Sequence, residues 1–432
     1  MSDEPQTQTL SSPPPPPSAA EPANAVPEVP DSASRAARWL PRLLVAGLVL
    51  AALNLRPAIT SLGALLEEVR DGLHMSGSVA GVLTSVPPLC FAVFGITAPR
   101  LARRFGPGAI VCAGMVAIAT GLLVRPFAGG TAGFLAASAL ALMGIAVSNV
   151  LMPVIVKRYF PERVGSMTGL YSMALALGTS LAAAATVPMT QALGGSWRTG
   201  LAVWAALAAL AVLPWAALVR DRSAGAEAGT EAAPGREGSG PRIIRSRTAW
   251  ALACFFGLQA TGAYITMGWM PQIFRDAGVP AGTAGVLLAV TMVMGVPLAF
   301  VIPRLATRMK NQGPIAVALA ACGLTGYAGL YLAPAGGAWL WAVLLGISNC
   351  AFPLALTMIG MRSRTGSGVV RLSAFAQSVG YLISIPGPLL VGVLYQHSGG
   401  WDIPLALMAG LMVPQTVAGI LAGRDRTIED ET

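Results

Sequence analysis

Twelve apolar stretches, each about 20 residues or longer, run through this 432-residue sequence, and they constrain its fold more than any other feature. At 1.5 Å rise per residue such a stretch crosses the roughly 30 Å hydrocarbon core of a bilayer. Within hydrocarbon, every backbone N–H and C=O must find its partner inside the protein, so stretches of this length become helices. They lie near residues 43–66, 77–98, 107–128, 132–156, 164–190 and 200–219, then near 249–271, 282–303, 314–334, 338–361, 371–395 and 402–423. The expected fold is all-α and polytopic, with twelve transmembrane helices in two pseudo-symmetric halves of six. Only 11% of the residues are charged, against roughly a quarter in soluble domains, which argues against an ordinary cytosolic enzyme. The first stretch follows Arg35, Arg38 and Arg42 as a signal sequence follows its basic start, but its 24 residues are enough to span, so it is read as retained.

The intervals between stretches set the domain boundaries. Residues 1–38, with Pro13 to Pro17, hold too little apolar surface to order themselves and read as a disordered tail. The N-terminal half covers 39–220, a polar Gly-, Ala-, Glu- and Arg-rich linker 221–247, the C-terminal half 248–424, and a short tail 425–432. The last part of the linker, 242–247, has a basic surface helix on anionic lipid as an alternative. With both termini on one face, that face carries 23 Lys and Arg residues and the other carries four, Arg70, Arg125, Arg198 and Arg275. Basic loops stay in the cytoplasm, so the expectation is a multi-pass plasma-membrane protein with both termini cytoplasmic.

The net charge of +9 is spread between spans and forms no single patch, so nucleic acid is not an expected partner. Cys90, Cys112, Cys254, Cys322 and Cys350 all fall inside apolar stretches without a disulfide or zinc spacing. His74 and His397 lie on loops of the less basic face. No metal, no cofactor, no nucleotide-binding loop and no Ser/His/Asp constellation is expected, which leaves little room for an ATP-driven pump or an enzyme. The expected partners are a small-molecule substrate and the lipid bilayer, with the chain acting as a monomer.

The two halves repeat each other at a shift near 204. Arg70-Asp71 corresponds to Arg275-Asp276, Ala80-Gly81-Val82-Leu83 to Ala284-Gly285-Val286-Leu287, and Pro99-Arg100-Leu101-Ala102 with Arg104 to Pro303-Arg304-Leu305-Ala306 with Arg308. Ser148-Asn149 with Pro153 recurs as Ser348-Asn349 with Pro353. Matches in this order point to duplication, and parallel repeats in a membrane belong to carriers that rock about a site between the halves.

Residues 39–425 resemble the major facilitator superfamily of transporters. That superfamily's loop after its second span reads Gly, three residues, Asp, Arg, any residue, Gly and two basic residues. Gly95, Arg100, Arg103 and Arg104 match it, while Pro99 and Ala102 replace the Asp and the second Gly. The run Leu53-Asn54-Leu55-Arg56-Pro57-Ala58-Ile59-Thr60-Ser61, with the stretch from Ala98 to Gly106, is most similar to the cyanate permease and 2-nitroimidazole exporter group. The resemblance implies transport of a small anionic or polar solute, cyanate-like, by alternating access. Export of a nitroheterocycle or other xenobiotic is the alternative. A non-transporting sensor is a remote one, since the tails are too short for a signalling domain. Gating is expected at Arg100, Arg103, Arg104, Arg304 and Arg308, meeting helix C-terminal carbonyls or acids such as Glu162.

Arg56 stands 14 residues into the first stretch, near the bilayer centre, where insertion of Arg costs about 2.5–3.5 kcal/mol and usually marks a pathway. The nearest acids, Glu67 and Glu68, are about 16 Å away along the helix, so the substrate is the candidate partner. The bland alternative is that Arg56 caps carbonyls at the kink made by Pro57. Asn54 joins it in the same motif. Asn149 and Asn349, each four residues before a proline, and Gln259, Tyr264 and Gln377 complete the substrate-binding candidates, with helix-to-helix hydrogen bonding as their alternative.

Overall fold

The structure, a computed structural model, describes residues 31–220 and 243–431. Most of the expected N-terminal tail (1–30) and linker (221–242) therefore lies outside the described residues. Among them every regular element is helical. Twelve helices are long and apolar enough to cross a membrane: in the first half, span 1 (Pro41–Ala64), span 2 (Gly77–Gly95), span 3 (Pro107–Phe127), span 4 (Thr131–Tyr159), span 5 (Ser166–Ala192) and span 6 (Trp197–Val219). The second half has span 7 (Arg247–Asp276), span 8 (Ala281–Arg308), span 9 (Gly313–Leu332), span 10 (Ala338–Met361), span 11 (Gly368–Ser398) and span 12 (Asp402–Ala422). These agree with the apolar stretches to within about five residues. Two boundaries differ from the sequence reading. The helix carrying span 1 begins at Asp31, ahead of residue 39, because Ala and Arg residues readily extend a helix that the apolar span has already nucleated. Residues Ile243–Arg245 form one 3-10 turn and no surface helix.

Several spans are interrupted near mid-depth. Span 1 breaks between Asn54 and Pro57, span 8 at Met294, span 10 at Cys350 and span 11 at Ile385. The proline logic is direct in spans 1 and 10. Pro57 cannot donate to the Leu53 carbonyl, nor Pro353 to that of Asn349, so each helix restarts after the gap.

The duplicated Ala-Gly-Val-Leu motif has a structural meaning: it is where the halves meet near the less basic face. Span 2 lies against span 11, and a Cβ on Gly81 would stand 2.8 Å from the Leu389 carbonyl oxygen. In the symmetry-related place span 8 lies against span 5, and a Cβ on Gly285 would stand 2.5 Å from the Ala183 carbonyl oxygen. On the axis itself, Gly63 of span 1 faces the Met267 carbonyl of span 7. The flanking Ala80, Leu83, Ala284 and Leu287 are fully buried.

The opposite end of the second half is tied by buried polar groups. Arg362, 1% exposed, donates from Nε to the Ala422 carbonyl (2.9 Å) and from Nη2 to the Gly423 carbonyl (2.9 Å) and Gln312 Oε1. A guanidinium suits a helix C-terminus, where carbonyls lack partners. After it, the turn Ile428–Glu431 folds back: Ile428 is fully buried and its N–H bonds the Arg362 carbonyl (2.9 Å). Glu431 accepts from Ser246 Oγ (2.7 Å), Thr248 N–H (3.0 Å) and Thr248 Oγ1 (2.8 Å) at the N-terminus of span 7. Burial opposes ionisation of Glu431, but these donors outweigh it and hold the carboxyl below its usual range. A group with a depressed folded pKa stabilises above its unfolded pKa, about 4.3, and that stability is lost as pH falls through the folded value. Glu431→Gln should therefore lower stability at pH 7 by about 1 kcal/mol, the worth of a helix cap. The deficit should shrink in thermal melts recorded below pH 4, where parent and variant converge.

Candidate functional site

The breaks in spans 1, 8 and 10 border one cavity of about 390 Å³ in the middle of the bundle, and span 11 reaches it through Tyr381. Its walls come from the middle and basic-face halves of the spans: Ser172 to Thr179 of span 5, Thr291 to Pro303 of span 8 and Asn349 to Thr357 of span 10. Interrupted helices lining a central cavity are the usual way a carrier exposes backbone and polar groups to a solute.

Arg56 sits in the break of span 1 as the residue capping the helix Pro57–Ala64, and it lines the cavity. Its guanidinium lies beside the Tyr264 hydroxyl, near those of Tyr381 and Tyr171, and stands 5.9 Å from the Phe91 ring centroid. Among the described residues no carboxylate pairs with it. The Leu53 carbonyl freed by Pro57 is covered by span 5, where Gly178 has no side chain to hold the helices apart. Around Arg56 the aromatic rings interlock: Phe91 stacks on Tyr381 with centroids 5.1 Å apart, and Phe256 meets Tyr381 edge-on at 5.2 Å.

The other candidates divide. Gln259, 5% exposed, lines the cavity and donates from Nε2 to the Asn349 carbonyl, the one that Pro353 leaves free (3.4 Å). Its Oε1 has no partner. Asn349 and Tyr264 also line the cavity. Asn149 does not; its Oδ1 accepts from the Tyr171 hydroxyl (2.5 Å), so it orients a residue beside Arg56. Asn54 and Gln377 do not line the cavity either. Asn54 is buried and donates to the Leu50 and Leu207 carbonyls (2.7 and 3.1 Å), joining span 1 to span 6, while Gln377 bonds Ser373 on its own helix (2.7 Å). The amide nitrogens of both find partners within the bundle, while Asn54 Oδ1 is buried without one. Of the arginines expected to gate, Arg103, Arg104, Arg304 and Arg308 are exposed and make no ion pair among the described residues, and Arg104 lies over the Phe105 ring.

Sequence reasoning missed the contacts that close the less basic face. Arg275 of the second half pairs with Glu67 (2.8 Å) and Glu68 (2.9 Å) of the first. Asp276 accepts from Tyr395 (2.8 Å), Trp401 (2.7 Å) and Gln272 (2.7 Å), and Gln396 accepts from Ser78 across the halves. The Arg-Asp repeat was a signal, but nothing in it told that Arg275 would meet the two glutamates. These contacts close the less basic face, while the cavity is lined by the middle and basic-face halves of its helices.

The model of the family described as Major Facilitator Superfamily matches residues 44–363. The chain belongs to that superfamily. It is 36% identical over 390 residues to the transporter YycB of Bacillus subtilis (strain 168), covering 89% of this chain and 94% of that one. Two Escherichia coli (strain K12) relatives are the 2-nitroimidazole transporter, 32% identical with 89% and 96% covered, and the cyanate transport protein CynX, 31% identical with 85% and 94% covered. Among solved structures, a D-xylose-proton symporter superposes with a TM-score of 0.68 at 13% identity, covering 90% of this chain and 99% of that one. As a major facilitator, the protein is a multi-pass membrane transporter of a small solute, related to the nitroimidazole and cyanate group.

Proposed function

We infer that this transporter carries a small electron-rich polar or anionic solute, seating the solute's negative group on Arg56. The observation that carries the reading is a guanidinium at the break of span 1, lining the cavity and lacking a carboxylate among the described residues. A charge kept in that position at a cost of about 2.5–3.5 kcal/mol is recovered only when a partner arrives. Between the solutes named for the two relatives, the geometry favours a planar nitroheterocycle over cyanate. The cavity, about 390 Å³, is far larger than a triatomic ion, and its largely apolar walls include the rings of Phe256, Tyr264, Phe352 and Tyr381. A turn of the Gln259 side chain brings its buried, unpartnered Oε1 to a ring N–H at the cavity wall, and cyanate has none to give. A thermal-shift series on the purified protein tests this: 2-nitroimidazole should raise the apparent stability, by about 2.7 kcal/mol at 100-fold over Kd, and Arg56→Ala should cancel the rise. Equal shifts in parent and variant, or none with either solute, would remove Arg56 as the solute's anchor.

In this reading the chain works as a monomer in the plasma membrane, performs no chemistry on its cargo, and has both termini in the cytoplasm. Cysteines at Ser76 and His397 should then react with an impermeant thiol reagent from outside intact cells, and one at Gly229 should not. With no carboxylate in the cavity lining among the described residues, the reading favours uniport, exchange, or coupling through the solute's own protonation. Arg100, Arg103, Arg104, Arg304 and Arg308 supply closing contacts when the cytoplasmic face shuts. Neutralising Arg100 and Arg304 together should raise cytoplasmic labelling of a cysteine beside Arg56 by more than either change alone, and no increase would leave them as orientation signals only.

A further inference from the structure

Arg125, at the less basic end of span 3, is 2% exposed, and no carboxylate pairs with it among the described residues. Its Nη1 donates to the Ala58 carbonyl (3.0 Å) and its Nη2 to Ser61 Oγ (3.3 Å), while Nε has no partner. Ala58 and Ser61 follow Arg56 by two and five residues on span 1, so the second guanidinium stands about 3 to 8 Å further along that helix. Of the four basic residues toward this face, Arg275 has its glutamates and Arg70 lies over the Tyr395 ring. Arg198 donates to the Pro126 carbonyl. Arg125 alone of the four is fully buried, and its guanidinium also lies 6.0 Å from the Phe134 ring centroid, a contact that carries no negative charge.

Two voids meet at Arg125. One, of only about 10 Å³, lies between the halves among Gly63, Thr84, Ser138, Tyr264 and Gly268. Ser138, 1% exposed, has an unpartnered Oγ there, so two buried polar atoms border the same closed space. Tyr264 lines both this void and the central cavity. The second void, about 390 Å³, opens on the less basic face beside His74, Arg198 and Gly129. A carbonyl and a hydroxyl could be held by a neutral donor; a full charge in a dry interior is tolerated where an anion comes to meet it.

The geometry points to Arg125 as a second anion-binding position on the transport path, occupied in the outward-facing state, which hands the solute's negative group to or from Arg56 past Tyr264. The assignment rests on the anionic or electron-rich solute proposed above. When the halves part at Gly63 and Gly81, the small void widens and becomes continuous with the outer vestibule. Arg125 and the Ser138 hydroxyl then face it, one to attract and one to donate. When the halves close, the void shrinks below the volume of a water, and the solute can reside only beside Arg56.

Charged thiol reagents test this without knowledge of the solute. A cysteine replacing Ser138 is labelled from outside intact cells with an anionic and with a cationic methanethiosulfonate, each rate taken over that of the parent chain. The anionic reagent should react at least tenfold faster relative to the cationic one, the preference should vanish in Arg125→Gln, and Arg125→Lys should retain it. The lysine variant keeps the charge without the planar fork, and continued reaction of Arg125→Gln with the cationic reagent shows that the variant is folded and the position accessible. No labelling of the Ser138 position, or an unchanged rate ratio in Arg125→Gln, overturns the proposal. The reading of Arg56 fails separately, through the thermal shift of its alanine variant.

Discussion

Arg56→Ala should reduce kcat/KM for the transported solute by a factor of about 100 or more, while the variant still inserts and melts near the parent temperature. A charge-assisted, two-pronged hydrogen bond to an anion contributes about 3 kcal/mol, and each 1.4 kcal/mol is tenfold. Insertion should survive, because removing a guanidinium from mid-depth relieves a cost to the bundle. Arg56→Lys should recover only part of the activity. The ammonium is a point charge and cannot reproduce the planar fork held between the Tyr264 hydroxyl and the Phe91 ring. Tyr264→Phe, which removes the hydroxyl beside Arg56 and keeps the ring, should cost about five- to tenfold. Uptake by the alanine variant at the parent rate would show that Arg56 merely caps the helix break.

Gly81→Leu and Gly285→Leu should each trap the transporter with its outer face open. The obstacle is main chain on both sides, the Leu389 carbonyl for one and the Ala183 carbonyl for the other, so a new side chain cannot be accommodated by a rotamer change. Overpacking of this kind costs about 1–3 kcal/mol, here charged to the closed arrangement alone, which shifts the population ratio by roughly 5- to 150-fold. The ion pairs of Arg275 with Glu67 and Glu68 oppose the shift only weakly, since part-exposed pairs contribute about 1 kcal/mol or less. A cysteine replacing Thr84, which borders the small void between the halves, should label faster from outside in either variant. Transport should fall in proportion. Labelling at the parent rate would mean that the duplicated motif is not the closing surface.

The twelve spans were legible from sequence because the bilayer makes the helix obligatory and the apolar length sufficient, so periodicity and partners need not be known. Arg56 was legible for the same reason: a charge at mid-span has few explanations. The duplicated Ala-Gly-Val-Leu and Pro-Arg-Leu-Ala segments were visible as repeats. Their helical spacing says which residues share a face, but not what that face meets. Asn54 and Gln259 show the limit well. Both are amides in spans related by the repeat, yet Asn54 turns to span 6 and Gln259 to the cavity.

What the sequence by itself determined is the number and place of the membrane spans, the division into two related halves, and a cation near the middle of the first span. What only the tertiary structure decided is which elements close on one another: Gly81 against span 11, Arg275 against Glu67 and Glu68, and Arg362 and Glu431 at the opposite end. It also separated Arg125 from the basic residues counted only as orientation signals. The physical reason is that spanning depends on hydropathy summed along a single helix, whereas closure and binding depend on contacts between residues as far as 318 positions apart, brought together by packing of one half on the other.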